Sequence, residues 1–356
     1  MSKSFFKTFI HDLGDPDTTV ASDGTASSEF TGYIDTGSYI LNAAISGSLY
    51  GGIPNNKAVI FAGDPATGKT FFALGIVKSF LNENKDGHVF YFDTESAVTN
   101  EMLTTRGIDI TRVAKSEPDS IEKFRHIAYK TLDAYTQLPE DKRFPLLMVL
   151  DSLSALPSKK ETEDMANEKD VRDMSKATLI KAAFRVLRLK LAKAKVPLIV
   201  TNHVYAVIGS YFPTKEMAGG QGAKYAADTI VFLSKKKDRD ADKSVVGNIV
   251  KARMMKSRLT KEETAVETRI LFDGGLDRYY GILDMAIAQG CVKKVSTRYE
   301  FPDGSKVFEK AILREPEKYF TKDVLDCVEV YVKEHFLYGS SGTSVITDDE
   351  LEAESE

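Results

Sequence analysis

The apolar positions of this chain fall into two rhythms. Five short runs, Ala58–Ala62, Val89–Phe92, Leu146–Leu150, Leu198–Thr201 and Thr229–Leu233, are almost continuously apolar. Runs of that length read as strands buried on both faces. Longer stretches of helical character lie between them, and Phe71–Leu81 is the first. The alternation predicts an α/β fold with a mostly parallel, twisted sheet flanked by helices. Further strands are predicted near Gly247–Lys256 and Glu267–Phe272, and a helix over Tyr280–Val292 that ends near Gly290. Ile40, Leu41, Ala44 and Ile45 form an apolar stripe at helical spacing, just ahead of Gly51 and Gly52. Two ends break the pattern. Residues 1–30 are largely polar, with Gly, Asp, Ser and Thr clustered from Gly14 to Ser28, and read as an N-terminal arm. From Thr347 the chain carries six acidic residues and no basic one, which predicts an exposed acidic tail.

A chain of 356 residues has room for one large α/β domain and smaller additions. The net charge of -4 gives no global hint of nucleic-acid binding, although local basic loops can act inside an acidic protein. No apolar run approaches the roughly 20 residues of a membrane span, and Met1–Asp12 lacks the layout of a signal peptide. No membrane partner and a cytoplasmic setting are expected. Only Cys291 and Cys327 occur, so a disulfide framework is not expected and both are read as reduced.

The most specific chemistry lies in Gly63-Asp64-Pro65-Ala66-Thr67-Gly68-Lys69-Thr70. Two glycines frame four residues and are followed by Lys-Thr, the pattern of a phosphate-cradling loop. A strand precedes it and a helix follows. In that context backbone N–H groups and the helix N-terminus point at nucleotide phosphates. Lys69 is placed to neutralise β/γ-phosphate charge, and Thr70 to offer its hydroxyl to Mg²⁺. A nucleotide and Mg²⁺ are therefore the expected substrate and cofactor.

Two carboxylates follow strands. Asp151 ends the run from Leu146, so it sits at the carboxyl end of a buried strand, where ligands bind in open α/β sheets. It is the second candidate for Mg²⁺, acting through the ion's water shell; an ordinary strand-end cap is the alternative. Glu95 lies just past the run Val89–Phe92 and is the candidate for orienting or deprotonating the water that attacks the γ-phosphate. The alternative is a capping acid, a role Asp93 could fill instead. His203 follows a fourth strand and is the candidate sensor of the γ-phosphate; a structural histidine is the competing reading.

These residues resemble the RecA family of strand-exchange recombinases, most closely its bacteriophage UvsX-like branch. The resemblance is carried by Ile34–Ser38 through Gly47, by Asp151–Leu156 continuing through Ser158–Asp164, by Met217–Lys224, and by Phe272–Asp277 with Gly281–Ala286. It implies a RecA-like P-loop core over 34–292, an oligomerisation arm over 1–33, a small C-terminal region over 293–346 and a tail over 347–356. It also implies a Mg²⁺- and DNA-dependent ATPase that forms a homo-oligomeric filament on single-stranded DNA and pairs it with a homologous duplex. A single-strand-binding protein and a loading mediator would be partners, in the host cytoplasm if the chain is phage-encoded. Glu95 then matches the family's catalytic glutamate. His203 stands where the phage branch has histidine and RecA itself has glutamine. Lys256 and Arg258 match two family lysines that reach ATP on the neighbouring subunit, with Arg in place of the second lysine; locally they read as a solvated basic stretch.

Two segments are candidate DNA-binding loops. The first, about 157–176, offers Arg172 and Lys176 to phosphates. The second, about 205–224, offers Lys215, the stacking side chains Tyr211 and Phe212, Gly219 and Gly220 for close backbone approach, and Gln221. Their plain alternatives are a solvated helix start and a surface loop with a buried aromatic pair. The tail competes with DNA for basic loops or serves only solubility. Phe5, Phe6, Phe9 and Phe30 anchor the arm on a neighbour or pack on their own subunit. Met102 and Arg106 lie in the region expected to face adenine. Two other readings share parts of this pattern, a ring helicase of the same core fold and an ATP-binding mediator that exchanges no strands.

Overall fold

The computed structural model describes residues 2–15, 18, 20, 30–168, 175–206, 215–240 and 242–339. The elements begin with α1 (Ser2–Asp12), β1 (Tyr33–Ile34), α2 (Tyr39–Ser46), β2 (Ile53–Pro54), β3 (Ala58–Gly63), α3 (Lys69–Glu83), β4 (His88–Asp93) and α4 (Asn100–Thr105). Next come β5 (Val113–Ser116), α5 (Ile121–Gln137), β6 (Leu146–Asp151), α6 (Lys159–Ala166), α7 (Lys176–Ala194), β7 (Leu198–Ala206), β8 (Lys215–Met217), α8 (Gly220–Ala226) and β9 (Thr229–Arg239). The remainder holds β10 (Val245–Lys256), β11 (Ala265–Leu271), β12 (Gly275–Leu276), α9 (Ile282–Ala288), β13 (Lys293–Val295), β14 (Arg298–Glu300), β15 (Lys306–Val307), α10 (Glu309–Arg314), α11 (Pro316–Tyr319) and α12 (Lys322–Phe336).

Two compact units divide these elements. One draws on 1–35 and 53–234, the other on 36–52 and the chain from 235 onward. In the first, six strands lie in the order β9-β3-β7-β6-β4-β5, and every neighbouring pair runs parallel. The central strands explain their own sequence. All six residues of β3 and all six of β6 are buried, as sheets covered on both faces require. Helix α3 packs on β3, β6 and β7, and α5 packs on α7. Aromatic rings fill the layers between, with Phe61 stacked on Phe72 and Phe92 edge-on to Phe124. The expected α/β architecture with a parallel sheet is what the chain forms.

In the second unit β10, β11 and β12 are antiparallel neighbours. A buried polar knot holds α2: Asn42 accepts from the Thr36 amide (2.9 Å) and hydroxyl (2.6 Å) and donates to the Leu49 carbonyl (2.9 Å). Glu329 of α12 accepts from the Leu49 amide at 2.7 Å. A separate three-stranded sheet, β13-β14-β15, follows α9.

Two expectations change. Cys291 and Cys327 are joined in a disulfide, because α9 and α12 pack side by side and bring their Cα atoms within 6.1 Å. The reading of two reduced cysteines is therefore corrected. The polar arm opens with α1, which exposes Phe5, Phe6 and Phe9. The acidic tail from Thr347 lies outside the described residues. Among the described residues no helix is long and apolar enough to cross a membrane.

Candidate functional site

Parallel register brings four strand ends to one edge. Gly63 pairs with His203 across β3 and β7, and Asp93 pairs with Asp151 across β4 and β6. The loop after β3, the turn after β4, the end of β6 and the polar half of β7 therefore converge.

The stretch from Asp64 to Gly68 turns tightly between β3 and α3. A Cβ on Gly63 would lie 2.7 Å from both the Leu233 carbonyl and the Thr67 hydroxyl, so the strand end admits only glycine without a shift. Thr67 holds the turn by donating its hydroxyl to the Asp64 carbonyl at 2.8 Å, and Gly68 takes a left-handed conformation, φ 94°, at the N-cap of α3. Lys69 is buried and donates to the carbonyls of Gly63 and Asp64, both at 3.0 Å. Burial pulls its ammonium below the ordinary lysine value, and the negative charges of Glu95, Asp151 and Asp64 oppose the shift. Thr70 follows on the first turn of α3, half-buried.

His203 bridges two of the predicted groups. Its Nδ1 lies 3.4 Å from Lys69 Nζ, and its Nε2 lies 3.4 Å from Glu95 Oε1. With Lys69 as the donor to Nδ1, the ring proton belongs on Nε2, facing the carboxylate. Glu95 also accepts from the Ser152 hydroxyl at 2.6 Å. Thr94 ties the two strand ends together, donating to the Ser152 carbonyl and accepting from its amide, each at 2.7 Å.

Asp151 is buried and has a hydroxyl on each oxygen. Tyr91 donates to Oδ2 at 2.7 Å, and Thr201 donates to Oδ1. Burial, with Asp151 alongside, pushes the Tyr91 phenol well above its ordinary value, so it remains a donor. Ser152, Thr94, Tyr91 and Thr201 were not singled out from the sequence. Thr201 had a signal, a polar residue closing an apolar run. Tyr91 had none, since an aromatic in a strand reads as core. Asp93 takes the capping role: it accepts from the amides of Ala97 (3.2 Å) and Val98 (2.9 Å), which leaves Glu95 facing the cluster.

Among the described residues no group of three or more His, Cys, Asp or Glu side chains is arranged to hold a metal ion. Mg²⁺ keeps several waters and leans on nucleotide phosphates as well as one or two side chains. A threonine hydroxyl and a strand-end carboxylate, those of Thr70 and Asp151, are donors of the kind it takes.

A model of the RecA N-terminal domain matches residues 7–277. The chain belongs to the RecA family. Within it, the chain is similar to the recombination and repair protein of Enterobacteria phage T4, 34% identical over 255 residues, which are 72% of this chain and 63% of that relative. It is similar also to the RecA proteins of Mycoplasmopsis pulmonis (26% identical; 75% of this chain, 74% of the relative) and Streptomyces coelicolor (27%; 75% and 68%). The chain thus spans less than two thirds of the phage relative's length.

The remaining candidates of this RecA-family chain are more scattered. Lys256 ends β10 and Arg258 lies two residues beyond it, both in the second unit. Of the first DNA segment, Lys159–Ala166 is helix α6, opened by a capping box between Ser158 and Glu161. Lys176 begins α7 and pairs with Glu161 at 3.2 Å. Arg172, Tyr211, Phe212 and the side chain of Gln221 lie outside the described residues. Lys215 opens β8, which pairs antiparallel with Val204–Ala206 of β7, and its ammonium lies 2.5 Å from Asp64. Gly219 and Gly220 take left-handed conformations at the start of α8, φ 80° and 52°. The glycine-rich stretch is thus strand, turn and helix.

Proposed function

We propose that this chain is a Mg²⁺- and DNA-dependent ATPase that forms a filament on single-stranded DNA, pairs that strand with a homologous duplex and exchanges strands. One observation carries the reading. His203 lies between the phosphate-loop lysine and Glu95, on the same strand that continues into the β8 pairing. A change at the γ-phosphate has a direct covalent path, along β7, to the segment proposed to hold DNA.

In this reading the amides of 63–68 and the N-terminus of α3 cradle the phosphates of ATP. Lys69 leaves its two carbonyl acceptors for the β/γ-phosphate oxygens. Thr70, and Asp151 through water, would hold Mg²⁺, which would supply charge neutralisation at the phosphates. Glu95, oriented by Ser152, aligns the attacking water and accepts its proton. His203 reports the γ-phosphate to β7 through Nδ1. Lys256 and Arg258 supply cations to the nucleotide of an adjoining subunit, which ties turnover to assembly. Lys176, Lys215, Arg172, Tyr211, Phe212, Gly219, Gly220 and Gln221 are the proposed contacts to DNA. The arm docks on a neighbouring protomer, and a single-strand-binding protein and a loader assist assembly.

The test is ATP hydrolysis with and without single-stranded DNA, wild type beside Glu95→Gln. DNA is expected to stimulate turnover strongly, and the variant to lose about a hundredfold or more. Turnover indifferent to DNA would overturn the reading.

A further inference from the structure

Lys115 has no part in the chemistry above, yet its side chain reaches the turn that carries Glu95. It sits on β5, the edge strand of the parallel sheet, opposite Tyr91 in register. Its ammonium donates to the Val98 carbonyl at 2.5 Å and lies 3.7 Å from Asp93 Oδ2. Asp93 is 1% exposed and uses both oxygens on the amides of Ala97 and Val98. Between Asp93 and Ala97, Ser96 holds a left-handed φ of 51°.

The arrangement is a clamp with two jaws. Asp93 grips the turn from inside by its N–H groups, and Lys115 grips the same turn from the neighbouring strand by a carbonyl. One cation serves both, because it also neutralises the buried carboxylate. A buried carboxylate without a cation is costly, and the groups around it rearrange to recover solvent. Here those groups are the backbone that aims Glu95. The Ser152 hydroxyl fixes the Glu95 carboxylate, and Thr94 is tied to Asp151 and Ser152, but neither contact holds the backbone from 96 to 98.

We propose that Lys115 is a positioning residue for Glu95, holding the 93–98 turn in the geometry that hydrolysis requires. The inference rests on the reading of Glu95 as the carboxylate that works on water. Small misplacements of such a group lower turnover far more than they lower substrate affinity.

The test is a double-mutant cycle on full-length protein in DNA-stimulated ATP hydrolysis. Lys115→Met is expected to lower kcat about tenfold with KM for ATP within about twofold, and Lys115→Arg to recover most of the loss. In the Glu95→Gln background, Lys115→Met is expected to cost nothing further, since its effect passes through that carboxylate. Multiplying losses in the double variant, or a raised KM with kcat intact, would overturn the proposal and leave the catalytic reading of Glu95 standing. Full turnover in Glu95→Gln alone would remove that reading, and the role of Lys115 with it. Should Lys115→Met fail to fold, Lys115→Gln keeps a donor for Val98, removes the charge and carries the same cycle.

Discussion

The strand-end cluster and the segment of β8 and α8 hold their polar residues in opposite ways. Buried Asp151 is met by hydroxyls from two other strands, those of Tyr91 and Thr201, and the more open Glu95 by the Ser152 hydroxyl just past β6. The β8 segment is joined to the rest of its unit mainly through backbone. It pairs with β7 at three positions, the Ala218 amide donates to the His203 carbonyl (2.9 Å), and the Ala218 carbonyl accepts from Asn202 (3.0 Å). Lys215 forms an exposed ion pair with Asp64, before the glycines pack α8 against α7. The first region is preorganised for charge that appears during a reaction. The second is held largely through its backbone and leaves its charged side chains at the surface, which suits the role proposed for it, taking up DNA and passing on what happens at the nucleotide. β7 belongs to both, and that shared strand makes the comparison testable.

The largest effect is expected in the cluster. Asp151→Asn keeps the shape and removes the charge that would hold metal-bound water. Turnover should fall roughly 10- to 100-fold, the range for groups that act on a metal at one remove. Because the amide nitrogen replaces an oxygen that accepts a hydroxyl, stability should fall too, by about 1–2 kcal/mol. A loss no greater than twofold in steady-state kinetics would place the metal's support elsewhere.

Gly222 tests the packing at the end of the second region. A Cβ there would lie 2.3 Å from the Ala177 carbonyl, which is backbone of α7 and cannot swing aside. Gly222→Ala should cost about 2 kcal/mol of stability, in the range for overpacked sites, and chemical denaturation would measure it. An unchanged midpoint would mean that α8 can lift from α7.

Tyr91→Phe removes one of the two hydroxyls on Asp151 and fills nearly the same space. About 1–2 kcal/mol of stability should be lost, because the donor serves a buried charge. Calorimetry checks it, and a loss near zero would show that water replaces the phenol. The cluster would then be less closed than its geometry implies.

What the sequence displayed of this site was the part written along one strand at a time. Apolar runs located β3, β4, β6, β7 and β9, and the phosphate loop, Asp151, Glu95 and His203 all stand at or beside their ends. Contacts made across strands were hidden. Tyr91 against Asp151 and Lys115 against Val98 depend on register between parallel strands, which no local pattern encodes. The disulfide was hidden for a related reason, since 36 residues separate its cysteines and only the packing of α9 on α12 joins them. Boundaries drifted where strands leave the core. β7 runs on to Ala206 and β9 to Arg239, past the last apolar residue of each run, because backbone pairing continues after burial ends. α1 was missed because its polar residues outweigh its phenylalanines in a reading based on composition.

The smallest effect should come from the ion pair between Lys215 and Asp64, which joins the two regions. Lys215 and Asp64 are each about half exposed, 49% and 46%, and pairs of that kind contribute under about 1 kcal/mol. Lys215→Ala should therefore leave the denaturation midpoint nearly unchanged. Its effect belongs in binding. If Lys215 is free to trade Asp64 for a DNA phosphate, the substitution should weaken single-stranded DNA binding by a few-fold and lower its salt dependence by about one phosphate contact. If the lysine instead remains on Asp64 when DNA binds, affinity and salt slope stay as in wild type. A titration of single-stranded DNA at several salt concentrations separates the two. The first result would make β8 part of the DNA contact, and the second would make it a strut of the phosphate loop.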